Sequence, residues 1–326
     1  MSSVFIGKVH YYLPDKIEEN IKILLNSNKS LNDSKKIINK IGIVSKRISG
    51  KNEFSSDLAI KAAKKILNNY NKEYIDFLIY CTNTPDYLLP TNACVIHEQL
   101  KLRDDCGAFD ITLACSGYLY SLAVANSLIK SKQAKNILLI TSDTYSKFIP
   151  IKDTKNRVLF GDGSTACIIS SNKKIGGIEI LKFLQGTQGS NFNYAIIKNF
   201  GNKYRKSKVK NDNYLSLDGP GLYNFALEIV PKNVRKFLKS CNLSIKNIDH
   251  FVFHQANKFM IEGLIRVMGL EKRKVFIDMK KTGNTTSSSI PIILKKKEKS
   301  FKQNSKILMV AFGGGLSWSI CLAKKT

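Results

Sequence analysis

The chain has 326 residues, 43% hydrophobic and 24% charged, enough for a large core and more than one core usually organises, so two domains are expected. Its 52 basic and 25 acidic residues give a formal charge of +27, which fits either an anionic partner or lysine-rich solvated faces. No apolar run approaches the ~18 residues of a membrane span, and no motif of a nucleic-acid binder is present, so membrane-spanning, collagen-like, disordered and nucleic-acid-binding classes are set aside.

The first residues, MSSVFIGKVHYYLP, lack the basic and then apolar pattern of a signal peptide, and a cytoplasmic location is expected. Seven cysteines form no C-x-x-C pair and the four histidines have no metal-ligand spacing, so neither a disulfide framework nor a bound metal is expected. Apolar residues at 58, 62, 66 and 70 predict a helix, with Ser55 or Ser56 as its N-cap. The run FDITLA (109–114) reads as a strand leading into Cys115 and then a helix through positions 119, 122, 125 and 129, closed near Lys130 and Ser131. The densest basic stretch, residues 198–210, reads as a surface loop, and Gly219-Pro220-Gly221 suits a helix entry.

Two segments recur. NKEYIDFLIYCTNTP (71–85) resembles LSIKNIDHFVFHQAN (243–257), aligning Ile75-Asp76 with Ile248-Asp249, and AKNILLITSD resembles NSKILMVAFG, aligning Ile137 with Ile307. The two offsets nearly agree, which predicts two α/β halves, residues 1–172 and 173–326, each with buried strands covered by helices.

Cys115 stands at a strand-to-helix turn, where unpaired N–H groups and the helix dipole favour a thiolate. Taken alone, a lone buried cysteine usually reads as inert packing. His254 ends the strand IDHFVFHQAN and reads either as a strand-end residue or as a catalyst. Asn284, in KTGNTTSSSIP, reads as a turn residue before a helix that begins in the Ser/Thr run. FGDGS (160–164) and GGGLSWS (313–319) are tight turns without the glycine spacing of a dinucleotide site.

Together, LACSG, FGDGS, HQAN, TGNTTSSSIP and AFGGGLSW occur in an order and spacing that resemble the β-ketoacyl-acyl carrier protein synthase III family of the thiolase superfamily. The resemblance implies a duplicated thiolase-like α/β fold in five layers (α-β-α-β-α) and a homodimer. It implies decarboxylating Claisen condensation of an acyl-coenzyme A or acyl-carrier-protein thioester with malonyl-acyl carrier protein, in fatty-acid initiation or a specialised acyl or polyketide pathway. Cys115 matches the nucleophile, His254 and Asn284 the pair that holds the malonyl thioester carbonyl, and the Cys115 and Gly314 N–H groups the oxyanion hole. Asn257, Ala256, Gly219, Leu89 and Phe312 fall where substrate contacts are expected. Coenzyme A or phosphopantetheine thioesters enter as substrates, with no permanently bound cofactor. Acyl transfer to an oxygen or nitrogen acceptor without decarboxylation is the alternative reading, and a non-catalytic subunit is disfavoured by the presence of Cys115.

The sequence also departs from that family. The N-terminal tryptophan and arginine of the nucleotide site are missing: INKIGIVSKR places Lys40 at the arginine and Ile41 at the following threonine, and Trp318 is the one tryptophan. Thr154 stands where a further arginine is usual, with Arg157 nearby, and Lys258 precedes the customary basic position, which holds Phe259. Lys40, Lys46, Arg47, Arg157 and Lys258 are therefore the candidate phosphate or carrier-protein contacts, and a carrier-bound donor becomes plausible.

Overall fold

Strands and helices alternate through the computed structural model, which describes residues 3–204 and 208–326. The chain opens with β1 (Val4–Ile6), β2 (His10–Tyr12), β3 (Ile17–Glu19), α1 (Asn20–Leu25), α2 (Leu31–Ile41) and β4 (Ser45–Arg47). It continues through α3 (Ser55–Leu67), β5 (Phe77–Cys81), α4 (Asn92–Leu100), β6 (Gly107–Ile111), α5 (Gly117–Lys130), β7 (Asn136–Asp143), α6 (Thr154–Arg157) and β8 (Gly163–Ser170). The second half contains β9 (Ile178–Thr187), β10 (Ala195–Ile196), β11 (Ser216–Leu217), α7 (Gly219–Lys239), β12 (His250–Phe253), α8 (Lys258–Met268), α9 (Ser289–Lys296), β13 (Lys306–Gly313) and β14 (Ser317–Lys325).

The duplication is written into the sheet. Strands run in the order β12-β13-β14-β9-β1-β8-β7-β5-β6, with the halves joined through the antiparallel β1–β9 pair. From that join outward, each half gives two antiparallel pairings and then a parallel one: β1–β8, β8–β7, β7–β5 and, matching them, β9–β14, β14–β13, β13–β12. The parallel neighbour β6 on β5 has its counterpart in a single parallel bridge between Phe251 and Val275. The repeat read from the sequence has the register of the structure: Phe77 faces Ile137, and His250 faces Ile307. Asp76 and Asp249 play the same part, each accepting the N–H that begins the neighbouring strand, Asn136 at 2.9 Å and Lys306 at 2.7 Å.

Side-chain alternation along the central strands divides the core into three parts. Ile137 and Leu139, with Ile307, Met309 and Ala311, pack on α5 and α9 in a central layer shared by both halves. Leu138 and Ile140 face α3 and α4, whereas Leu308, Val310 and Phe312 face α7 and α8. The five layers are therefore α3/α4, sheet, α5/α9, sheet, α7/α8. Local capping differs from expectation at α3: Phe54 is the N-cap, its N–H bonded to Asp57 at 2.8 Å, while the Ser55 hydroxyl donates to the Thr84 carbonyl at 2.7 Å. Tyr70 lies beyond that helix. α5 ends at Lys130 as its pattern predicts, and α7 starts at Gly219 with Asp218 accepting the Gly221 N–H. Of the basic stretch 198–210, residues 205–207 lie outside those described.

Two candidate phosphate contacts belong instead to a buried ion cluster. Glu18 accepts the Arg157 Nε and Nη2 donors at 2.8 Å each and the Lys46 Nζ at 3.0 Å. Lys46 is fully buried and donates onward to Asn20, and Arg157 spends a further nitrogen on the Ser146 and Ile149 carbonyls. Lys46 and Arg157 therefore cannot reach a substrate phosphate; desolvation keeps them only because Glu18 and these carbonyls satisfy them. The cluster holds the antiparallel β3–β4 pair against residues 146–158.

Burial alone would raise the Glu18 pKa, but Arg157 and Lys46 outweigh it and hold the carboxyl below its ordinary 4.5. The charge thus stabilises the fold fully above that ordinary value, and the contribution fades as pH falls through the lowered folded-state value. Glu18→Gln leaves two buried cations without an anion and is predicted to cost roughly 3–5 kcal/mol at neutral pH. Urea unfolding at neutral and acidic pH measures this, and the gap between wild type and variant narrows on acidification.

Candidate active site

The Cys115 elbow follows β6. Ala114 takes a left-handed backbone (φ +40°), a conformation costly for a residue with a Cβ, and its N–H is held by Asn83 Oδ1 at 2.6 Å. Cys115 follows within a 3-10 turn, and α5 starts two residues on, at Gly117, where a Cβ would fall on the Cys81 sulfur. The glycine turn after β13 closes the other side. A Cβ on Gly313 would lie 2.8 Å from Cys115 Cβ and 3.2 Å from Sγ, so glycine permits this approach.

The expected thiolate is not the resting state. Burial of the sulfur, with the Asp143 charge adding to it, pushes the Cys115 thiol up to about 12. His254, immediately after β12, is buried, whereas Cys115 is partly exposed, and desolvation lowers the His254 pKa to about 3, so the imidazole is neutral at physiological pH. Its Nδ1 lies 2.7 Å from the Ser289 hydroxyl, which also accepts the Gln255 N–H at 3.3 Å.

Asn284 is fixed on every side that does not face the cavity. Its N–H donates to the Leu159 carbonyl at 2.8 Å, its carbonyl accepts from Gly161 at 3.0 Å, and its Oδ1 accepts the Thr286 N–H at 2.9 Å. The side-chain NH2 is left as the donor toward the cavity that Asn284 lines. Thr286 repeats the left-handed backbone of Ala114 (φ +49°) in a 3-10 turn before α9. The two elbows, one from each half, are built alike.

A cavity of 440 Å³ brings Cys115, His254 and Asn284 together. Its walls are mostly apolar: Ala195, Ile196 and Leu217 from the β10–β11 hairpin, Phe200 and Leu215 beside it, Leu222 and Phe225 on α7, and Met260 on α8. Of the expected contacts, Ala256, Asn257, Gly219, Phe312 and Gly314 line it. Leu89 does not. It lies on the surface at 86% exposure.

An adjoining cavity of 390 Å³, sharing Lys155, Leu159 and Asn257 with the first, forms a vestibule. Lys40 lines it, with Nζ 4.5 Å above the Phe259 ring, which is itself stacked on Tyr223 at 4.9 Å. Lys258 and Arg47 are placed elsewhere: Lys258 pairs with Glu262 at 3.7 Å beside Gly42, and Arg47 donates to the Pro14 and Asp15 carbonyls. A one-residue shift along α8 carries Lys258 around the helix and leaves Phe259 facing the vestibule.

Asn83, Asp143, Ser289 and Lys155 were not singled out by motif. Asn83 was accessible in principle, because β5 and β6 run parallel and must deliver their C-terminal ends to one edge. Among the described residues no group of three or more His, Cys, Asp or Glu gathers to hold a metal, and no helix is long and apolar enough to cross a membrane.

A cysteine elbow from one half of a duplicated α/β fold, facing a histidine and an asparagine from the other, defines an acyl-transferring enzyme of thiolase-like fold. Comparison with known proteins narrows the class. The family described as 3-oxoacyl-[acyl-carrier-protein] synthase III matches residues 109–189, and its C-terminal counterpart matches 238–325. The β-ketoacyl-[acyl-carrier-protein] synthase III of Clostridium perfringens is 33% identical over 287 residues, 86% of this chain and 88% of the relative. That of Neisseria gonorrhoeae is 34% identical over 285 residues, covering 86% and 87%. A crystal structure of a 3-oxoacyl-(acyl-carrier-protein) synthase III, 31% identical, superposes with a TM-score of 0.90 over 99% of both chains. The chain belongs to the β-ketoacyl-acyl carrier protein synthase III family.

The closeness of Gly313 to Cys115 gives a direct prediction. Gly313→Ala is expected to displace the thiol and slow its acylation on the order of 10²-fold while the thermal midpoint stays near wild type, read by intact-protein mass and by thermal unfolding.

Proposed function

We propose that Cys115 accepts the acyl group of a thioester donor and that His254 and Asn284 bind the thioester carbonyl of the malonyl extender. The observation that carries this assignment is the meeting, on one cavity, of a thiol, a neutral imidazole and an amide NH2 whose carbonyl end is already bonded. The reaction is the decarboxylating Claisen condensation of the family, in fatty-acid initiation or a specialised acyl pathway.

In the first half-reaction the Cys115 sulfur bonds to the acyl carbon. The donor C–S bond breaks, and the thiol proton leaves with the departing carrier thiolate, so the step is proton-neutral. A thiol held protonated by burial loses its proton only as the donor carbonyl arrives, which protects it between turnovers. The backbone N–H groups of Cys115 and Gly314 are assigned to the developing oxyanion. In the second half-reaction the malonyl C–CO2 bond breaks, carbon dioxide leaves and the electron pair becomes an enolate. The Asn284 NH2 and the His254 Nε2–H, the latter set by Ser289 donating to Nδ1, stabilise the enolate oxygen. The enolate carbon attacks acyl-Cys115, and the sulfur leaves, to be protonated from solvent.

Both donors to the enolate are neutral, which suits a carbanion equivalent that a stronger acid would quench. Asn284→Ala is predicted to slow malonyl decarboxylation by roughly 10²–10³-fold with acyl loading nearly intact. Cys115→Ser is predicted to abolish the acyl adduct in intact-protein mass spectra; equal loss of both half-reactions in Asn284→Ala would contradict its assigned role.

The vestibule supports a carrier-bound donor. Its aromatic side chain, Phe259, is stacked with Tyr223 and carries Lys40 over its ring, and Lys29, Lys40 and Lys155 offer charge to a phosphopantetheine phosphate. An acidic acyl carrier protein is the partner that the +27 charge favours. A homodimer in the cytoplasm is the proposed state. β6 ends the sheet with one edge unpaired among the described strands, and Tyr87, Leu88, Leu89 and Ile151 are exposed apolar side chains that a second copy would cover. We take residues 1–172 and 173–326 as the two repeats, which share the central core and are not independent domains.

A further inference from the structure

Asp143, the last residue of β7, is 1% exposed and takes no part in the steps above. Its carboxylate accepts five hydrogen bonds from two loops. Oδ1 accepts the Asn83 N–H at 2.8 Å and the Thr82 and Thr84 hydroxyls at 3.3 Å each. Oδ2 accepts the Thr286 hydroxyl in a short bond and the Ser287 hydroxyl at 3.3 Å. Each loop passes the constraint on. Asn83 holds the Ala114 N–H at 2.6 Å, one residue before Cys115, and Thr286 holds the Asn284 carboxamide oxygen at 2.9 Å through its own N–H. Both Ala114 and Thr286 sit in the left-handed backbone region, which persists only where the surroundings over-determine it.

We propose that Asp143 is a positioning residue for both half-reactions, a single carboxylate that ties the Cys115 elbow to the Asn284 elbow and holds both in strained backbone conformations. This rests on the roles assigned to Cys115 and Asn284. Asp143 is not the base for the thiol: its charge raises the Cys115 pKa, and both of its oxygens are occupied by other donors. An anion is nevertheless suited to the place. All five partners donate, and a carboxylate accepts without offering a competing proton.

The two oxygens differ in what they require, and this makes the proposal testable. A backbone N–H cannot reverse, whereas a hydroxyl can turn and accept. In Asp143→Asn the carbonyl oxygen must therefore stay with Asn83 and the new NH2 face Thr286 and Ser287. Asp143→Ala is expected to slow acyl loading and malonyl decarboxylation each on the order of 10²-fold. Asp143→Asn is expected to restore loading to near wild type and decarboxylation only in part. Thr286→Val, which removes one hydroxyl at nearly constant volume, should slow decarboxylation tenfold or more and spare loading.

The rate of Cys115 alkylation by iodoacetamide, read by intact mass, needs neither substrate. Both Asp143 variants lose the charge that raises the Cys115 pKa, so positioning is read from the difference between them: the rate should be lower in Asp143→Ala than in Asp143→Asn. If wild type forms no Cys115 adduct with any acyl donor, the function reading fails, while the alkylation series still judges the Asp143 proposal. Equal losses in Asp143→Ala and Asp143→Asn that track their thermal midpoints would overturn it, as would wild-type decarboxylation in Thr286→Val. If Asp143→Ala does not fold, the other two variants decide.

Discussion

The structure depends on one shared layer, the helices α5 and α9 buried between the two halves of the sheet. Both are covered on opposite sides by strands, so their positions are set by packing from each repeat at once. The chain enters each of them through a 3-10 turn with one residue in the left-handed region, Ala114 before α5 and Thr286 before α9. Cys115 and Asn284 are carried by these entries. Because the layer is common to both halves, the distance between the Cys115 thiol and the Asn284 amide is not left to a domain motion, and the glycine turn after β13 can approach the sulfur closely.

Electrostatically the site is the reverse of the surface. Outside, lysines dominate. Inside, the groups around the cavity are held neutral or fully bonded: the Cys115 thiol is pushed up, the His254 imidazole is pushed down, and Asp143 is saturated with donors. Such a site suits chemistry whose charge appears only in passing, first as a thioester oxyanion and then as an enolate. The buried Glu18–Lys46–Arg157 cluster belongs to neither region; it braces the wall formed by residues 146–158.

Much of this was legible in the sequence for a physical reason: duplication repeats a pattern. The alignment of Ile75-Asp76 with Ile248-Asp249, and of Ile137 with Ile307, already contained the pairing of Phe77 with Ile137 and of His250 with Ile307. Cys115, His254 and Asn284 stood out because each follows an apolar run and precedes turn chemistry. Charge was less legible. Lys46 and Arg157 looked like free cations, because nothing in one dimension shows that Glu18 lies between them. Leu89 is expected at the acyl pocket or at a dimer interface, and in the single chain it is exposed. Asp143 was invisible as a hub, since its partners come from residues 82–84 and 286–287, which only the folded sheet brings together.

The central claim is that the acyl group on Cys115 is consumed by an enolate formed at Asn284 and His254. The most direct test is a single-turnover chase: the isolated acyl-enzyme is mixed with malonyl-acyl carrier protein while acyl-enzyme mass, carbon dioxide and carrier-bound product are followed together. Loss of the acyl mass in step with carbon dioxide release and equimolar β-ketoacyl product is the predicted result. Acyl loss to another acceptor without carbon dioxide would contradict it.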